Sequence, residues 1–150
     1  MAIRRLTHLG ICVNDLERAL AFYTEVLGCR EVGRFRDDAG FSSKLLEIED
    51  VRLQAVYLER DGWRLELLHY ARPGTVGPAE RRAMNQPGLT HLSFVVDDLD
   101  ETLDKVRAFG GSVVDQSRID LAAKAVFATD PDGTRLELIE RDGDPMTIPG

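Results

Sequence analysis

The chain has 150 residues, 43% of them apolar and 30% charged, with a formal net charge of −7 and two cysteines. That is enough apolar material for one good core or two small modules sharing one, and the acidity disfavours a sequence-independent grip on nucleic acid or an anionic membrane, both of which need a basic face. Cys12 and Cys29 show no CxxC spacing, and neither a leader-like N-terminus nor an apolar run of bilayer length occurs, so the expectation is a cytoplasmic protein in a reducing compartment.

Residues 5–13 alternate, with Leu9, Ile11 and Val13 on one face of a strand and Leu6, His8, Gly10 and Cys12 on the other. Asn14 with Glu17 reads as a capping pair; Leu16, Leu20, Tyr23 and Leu27 then recur at helical spacing until Gly28 stops the helix. Extended pieces follow over 30–35, 51–59 and 63–70, the last two joined through Asp61-Gly62, a strong hairpin signal. Residues 71–88 carry Pro73, Gly74, Gly77, Pro78, Pro87 and Gly88 and read as a linker with a helical turn over 79–84. The second half repeats the pattern. Leu92, Phe94 and Val96 oppose His91 and Ser93, and Leu99, Leu103, Val106 and Phe109 form a helical stripe before Gly110-Gly111. Extended pieces follow over 112–115, 123–128 and 134–140, with Asp132-Gly133 as the second hairpin; 141–150 reads as a frayed tail.

The halves match in sequence as well as in pattern. Leu6-Thr7-His8-Leu9 returns as Leu89-Thr90-His91-Leu92 at an offset of 83, and Asp61-Gly62-Trp63-Arg64-Leu65-Glu66-Leu67 returns as Asp132-Gly133-Thr134-Arg135-Leu136-Glu137-Leu138 at an offset of 71. Ala55-Val56-Tyr57 pairs with Ala125-Val126-Phe127 at an offset of 70, and one extra residue, Pro131, restores 71. This is an internal duplication of a module of roughly seventy residues, too few copies for a solenoid. The expected fold is α+β: two tandem β-α-β-β-β modules, mostly antiparallel, in one domain over 1–150, with module one over about 3–70, linker 71–88 and module two over about 89–140.

The repeated words can bind metal. Leu65 and Leu67 flank Glu66 from the opposite face, as Leu136 and Leu138 flank Glu137, and His8 and His91 lie opposite the residues that must pack on the helices. All four polar groups therefore face away from the helix layer. If the modules cup toward each other, two carboxylates converge in a partly desolvated cleft, a conflict that a bound cation resolves. Two imidazoles and two carboxylates suit a borderline divalent ion such as Zn, Ni, Co, Mn or Fe and leave positions for water or substrate oxygens. His69 alternates onto the face of Leu65 and Leu67 and stays outside the set.

These residues resemble the vicinal oxygen chelate superfamily, which includes glyoxalase I, methylmalonyl-CoA epimerase, extradiol dioxygenases and the fosfomycin and bleomycin resistance proteins. The resemblance covers residues 3–140 and rests on Leu6-Thr7-His8-Leu9-Gly10-Ile11, Asp15-Leu16 with Ala19, Phe22-Tyr23, Leu27-Gly28, Gly88-Leu89-Thr90-His91-Leu92, and Asp130-Pro131-Asp132-Gly133 running to Leu136-Glu137-Leu138. It implies modules that form a cupped half-barrel with helices outside, a homodimer, and a metal held by His8, Glu66, His91 and Glu137. The extradiol arrangement would use only His8, His91 and Glu137, so Glu66 favours the glyoxalase-epimerase branch, whose chemistry is proton transfer next to a carbonyl with the enolate oxygens on the metal. By resemblance Glu137 is the base. An epimerase adds a second carboxylate near the third strand, where Glu49 fits the spacing better than Glu47. Arg81 and Arg82 are candidates for an anionic substrate tail, and Trp63, Phe35, Phe41 and Tyr57 for the pocket wall. Thr90-His91 stands where epimerases show His-His, which leaves the small-molecule substrate open. The alternatives are a ring-cleaving dioxygenase and a non-catalytic antibiotic-binding protein.

Overall fold

One β-α-β-β-β order occurs twice. The computed structural model describes residues 2–141, so the expected tail beyond Arg141 lies outside the described residues. The first copy runs β1 (Leu9–Cys12), α1 (Leu16–Glu25), β2 (Arg30–Asp37), a short helix α2 (Ser43–Leu46), β3 (Arg52–Arg60) and β4 (Trp63–Arg72). The second runs β5 (Leu92–Val96), α3 (Leu99–Ala108), β6 (Ser112–Asp120), β7 (Lys124–Thr129) and β8 (Arg135–Glu140). Each makes a four-stranded sheet, ordered β1-β4-β3-β2 and β5-β8-β7-β6. In both, the first strand pairs in parallel with the last and the remaining pairs are antiparallel. The α+β class and the order of strands and main helix in both modules are as the sequence implies, with α2 an addition it does not predict, and the chain divides into two compact units, one up to Pro78 and one from Ala79.

Each unit buries its helix stripe against one face of its own sheet. In the first, Leu16, Ala19, Phe22 and Tyr23 of α1 are buried, and Val56, Leu58, Leu65 and Leu67 are fully enclosed. In the second, Leu99, Leu103 and Val106 of α3 join Val126, Leu136 and Leu138. A fully buried leucine of this kind contributes ~1.5–3 kcal/mol, so the parity of β4 and β8 is fixed by their leucines. No helix among the described residues is long and apolar enough to cross a membrane.

Several local expectations are corrected. The cap of α1 is Asp15, whose Oδ1 accepts the Arg18 N–H at 2.9 Å, while Asn14 instead accepts the Thr75 hydroxyl. Asp98 caps α3 in the same way. Asp61 and Gly62 both take positive φ (50° and 79°), the two-residue turn that the dipeptide predicts. Asp132-Gly133 belongs to a longer turn: β7 and β8 close at Thr129 and Arg135, and the buried Asp130 carboxylate accepts the N–H groups of Asp132 and Thr134. Strand β6 runs past its predicted end because Ser117 closes an irregularity in it, donating to Val114 O and accepting the Phe127 N–H. Residues 79–84 form no helical turn.

The connection from β2 to β3 is organised by Asp37, which is 0% exposed. Its Oδ1 accepts from Ala39, Gly40 and Phe41 and its Oδ2 from Ser42, at 2.6–3.3 Å. Burial alone would push its carboxyl up, but the donors from Ser42, Gly40 and Ala39 outweigh it and hold it down at about 2. Because the folded value lies below the unfolded one, the contribution is complete above about pH 4 and is lost as pH falls toward 2. Urea midpoints should therefore drop between pH 4 and 2, and Asp37→Asn should flatten that drop while lowering stability at neutral pH.

Candidate metal centre

Register brings a histidine and a glutamate together in each unit. Gly10 lies opposite Glu66 in the parallel β1–β4 ladder, and Ser93 lies opposite Glu137 in β5–β8. Each histidine stands two residues earlier on the same face as Gly10 or Ser93, just ahead of the strand, and so is the diagonal neighbour of its glutamate. His8 Nε2 is 3.0 Å from Glu66 Oε2, and His91 Nε2 is 3.6 Å from Glu137 Oε2. The side chains are partly exposed, 35% and 14% in the first pair and 27% and 30% in the second. A ligand can reach them.

What surrounds each pair is also duplicated. Thr7 Oγ1 is 3.1 Å from His8 Nδ1, and Thr90 Oγ1 is 2.8 Å from His91 Nδ1. A hydroxyl both donates and accepts, so it can hold the ring in the tautomer that carries its proton on Nδ1 and offers the Nε2 lone pair to a metal. Each imidazole also meets an aromatic ring edge-on, Tyr57 at 5.6 Å and Phe127 at 5.5 Å, from residues that sit opposite the two glutamates on β3 and β7.

The copies differ in how the carboxylate is held. The Tyr57 hydroxyl donates to Glu66 Oε1 at 2.6 Å, so with His8 on Oε2 both oxygens of Glu66 are engaged. Phe127 has no hydroxyl. There Ser93 Oγ donates to Glu137 Oε2 at 2.7 Å, the same oxygen that faces His91, which leaves Oε1 without a partner among the described residues.

The donor chemistry fits a borderline divalent ion: an imidazole lone pair beside a carboxylate, with the ring orientation fixed from behind. Each unit by itself offers two donors, and among the described residues no three His, Cys, Asp or Glu side chains gather closely enough to hold a metal. Glu49 stands on the exposed turn before β3. From Arg52 to Tyr57, the residue facing Glu66, the strand runs about 16 Å. His69 contacts Val13 O at 3.4 Å, away from both pairs.

Sequence reasoning missed one neighbour of the second pair, Arg135. Only 9% exposed, its guanidinium lies 5.2 Å from the centroid of Phe127; Nη2 donates to Arg82 O, and Nε has no hydrogen-bond partner among the described residues. Its position two residues before Glu137, on the same face, was the available signal.

A duplicated β-α-β-β-β module with a His–Glu pair at the same register in each copy defines the class of scaffold, and comparison with known proteins gives its family. Residues 5–138 match the model of the glyoxalase/bleomycin resistance protein/dioxygenase superfamily, and the chain belongs to that family. It is 30% identical over 147 residues to a probable chloroplastic lactoylglutathione lyase of Arabidopsis thaliana, covering 97% of this chain but 38% of that protein. It is 28% identical over 143 residues to lactoylglutathione lyase of Salmonella typhimurium, covering 91% and 92%. It is 26% identical to the metallothiol transferase FosB of Lysinibacillus sphaericus, covering 91% and 82%. Among solved structures, a glyoxalase family protein from Bacillus cereus superposes with a TM-score of 0.79 at 20% identity, covering 95% and 99% of the two chains. The fosfomycin resistance protein FosX of Listeria monocytogenes, complexed with Mn(II) and sulfate, does so with a TM-score of 0.59 at 16% identity, covering 95% of each chain.

The Tyr57 hydrogen bond yields a direct check. Donation to Glu66, then burial, then the Glu66 charge push the phenol up to about 12, against a smaller opposing pull from Arg64. In Glu66→Gln the acceptor charge disappears, so Tyr57 should titrate at lower pH. Tyrosine-selective NMR titration of wild type and variant measures it; an unchanged Tyr57 midpoint would contradict the hydrogen bond.

Proposed function

We propose that this protein is a divalent-metal lyase or isomerase of the glyoxalase-epimerase type, acting on a small carbonyl compound, with His8, Glu66, His91 and Glu137 as the ligands of one ion. The observation that carries the reading is the equivalence of the two pairs. Glu66 is placed against His8 as closely as Glu137 is against His91, so it is a full member of the set, and the three-ligand dioxygenase arrangement would leave it idle. The same intact donor set disfavours a binding protein that merely shields an antibiotic. The metal remains one of Zn, Ni, Co, Mn or Fe, and a soluble, cytoplasmic homodimer is the assembly expected of such an enzyme.

The hydrogen bonds divide the carboxylates by role. Glu66, engaged at both oxygens, is the holder; Glu137, with Oε1 unengaged, is the base that takes the proton next to the carbonyl and returns it to a neighbouring atom. The metal, when bound, supplies Lewis-acid stabilisation of the negative charge that builds on the carbonyl oxygen. Tyr57 restrains Glu66, Thr7 and Thr90 keep the two imidazoles in orientation, and Ser93 steadies Glu137 from its other oxygen. Glu49 has a part only if the reaction is an epimerisation, which needs a second base on the opposite face of the substrate.

The likeness to a metallothiol transferase supports one second reading, transfer of a thiol to an electrophile over the same ligands. Product analysis separates the two: a lyase converts the methylglyoxal–glutathione hemithioacetal with no further substrate, whereas a transferase consumes a thiol only when an electrophile is supplied.

Protein purified without added metal should carry a divalent ion by elemental analysis, and His8→Ala or His91→Ala should lose it. Glu137→Gln should lower turnover by roughly 10²–10⁴-fold; full activity in that variant would remove Glu137 from the mechanism. Glu49→Gln should leave a lyase unaffected and should disable an epimerase.

A further inference from the structure

Beside the first His–Glu pair lies a hollow that the proposed chemistry does not use. It is a cavity of about 360 Å³ whose walls include Arg5, Thr7, Glu59, Trp63 and Arg64, and its size falls at the lower end of small-molecule sites. Thr7 is the residue that orients His8, and Arg64 stands on the face of Glu66, about 7 Å along the strand. The hollow therefore adjoins the reactive pair. Its charge balance runs against that of the chain as a whole: two guanidiniums meet one carboxylate, and Glu59 is shared between Arg64 at 3.1 Å and Arg30 at 3.8 Å. Arg5 has no ion pair among the described residues.

In the second unit the counterpart arginine is covered by the linker, and the cavity beside the turn, about 450 Å³, is lined by linker and turn residues without Arg135. By the two sequence offsets, Arg5, Thr7, Trp63 and Arg64 correspond to Gly88, Thr90, Thr134 and Arg135. There the linker lies across the turn. Glu80 comes so near Gly133 that an added Cβ would stand 2.5 Å from its carbonyl carbon, and the Arg82 guanidinium donates to Pro87 O and Leu89 O. Arg82 O in turn takes the Arg135 guanidinium. Of two equivalent arginines, Arg135 is sequestered under the linker, while Arg64 stands with Arg5 at the wall of an open hollow.

We infer that the open hollow receives the anionic end of the substrate, a carboxylate or phosphate-type group carried about 7 Å or more from the reacting carbon. Arg64 and Arg5 supply the charge-assisted hydrogen bonds, and the Trp63 indole supplies an apolar wall for the connecting carbons. As a statement about substrate this rests on the proposed function, since it places the reacting carbon at the His8–Glu66 end. The binding itself does not depend on metal or turnover.

Trp63 is the only tryptophan in the chain, so its fluorescence reports on the hollow alone. The full-length protein is titrated with succinate, with n-propyl phosphate and with the neutral succinamide. At least one anion should give a saturable change that succinamide does not give, and the effective anion tells carboxylate from phosphate recognition. Arg64→Gln and Arg5→Gln should each weaken that binding roughly ten- to a hundredfold, and added NaCl should weaken it in wild type. Arg5 is exposed, so its variant keeps the fold even if Arg64→Gln does not. Equal binding of succinamide, no binding of either anion, or wild-type affinity in both variants would overturn the inference. Loss of the metal in His8→Ala with anion binding retained would support it, and failure of metal binding in wild type with anion binding intact would overturn the proposed function alone.

Discussion

Everything at the candidate centre depends on the register of two short parallel ladders. Gly10 opposite Glu66, and Ser93 opposite Glu137, place each histidine diagonally beside its carboxylate on one face of its sheet. A slip of one residue would turn the glutamate toward the helix and the leucines toward solvent. Leu65, Leu67, Leu136 and Leu138 are 0% exposed, so that slip is opposed by the whole core of each unit. Each glutamate is thus held by hydrophobic packing on the reverse side of its own strand, and each histidine stands one residue ahead of the strand beside it.

Duplication supplied two copies of one device, and divergence changed the hydrogen bonds around them. Tyr57 against Phe127 and Gly10 against Ser93 are exchanges at matching positions, and together they move the extra hydrogen bond from one carboxylate oxygen to the other. The glycine has its own reason, since a Cβ at Gly10 would approach Leu68 Cδ1 to 3.3 Å. Arg64 and Arg135 diverge further, one at the wall of an open hollow and the other buried under the linker. Such differences underlie the proposed division between a carboxylate that is held and one that moves a proton.

Much of this was legible in the sequence because strand parity is a hard constraint. Leucines on either side of Glu66 and Glu137 settle which way those side chains point, and the offsets of 83 and 71 pair them with His8 and His91. Details decided by competing hydrogen bonds were not legible. Asn14 and Asp15 are adjacent candidate caps, and only the entry angle of the chain selects Asp15. Asp132-Gly133 carries the hairpin signature, but Asp130 captures the turn with its own carboxylate and lengthens it. The linker lacks helical periodicity strong enough to form a turn over 79–84, and its partners on Gly133 and Arg135 are long-range contacts that no local pattern encodes. Glu49 was placed by spacing alone, and the Asp37-centred connection carries it onto an exposed turn.

In the proposed function one ion draws ligands from both copies of the module. X-ray absorption at the metal edge of Co(II)-loaded protein measures it directly, because imidazole leaves a distinctive outer-shell scattering pattern. The expected result is a shell of nitrogen and oxygen only, with two imidazoles in wild type and one in His8→Ala and His91→Ala, which shed the ion on purification and are reloaded by excess Co(II). A wild-type shell with a single imidazole, or one that stays the same when either histidine is removed, would contradict it.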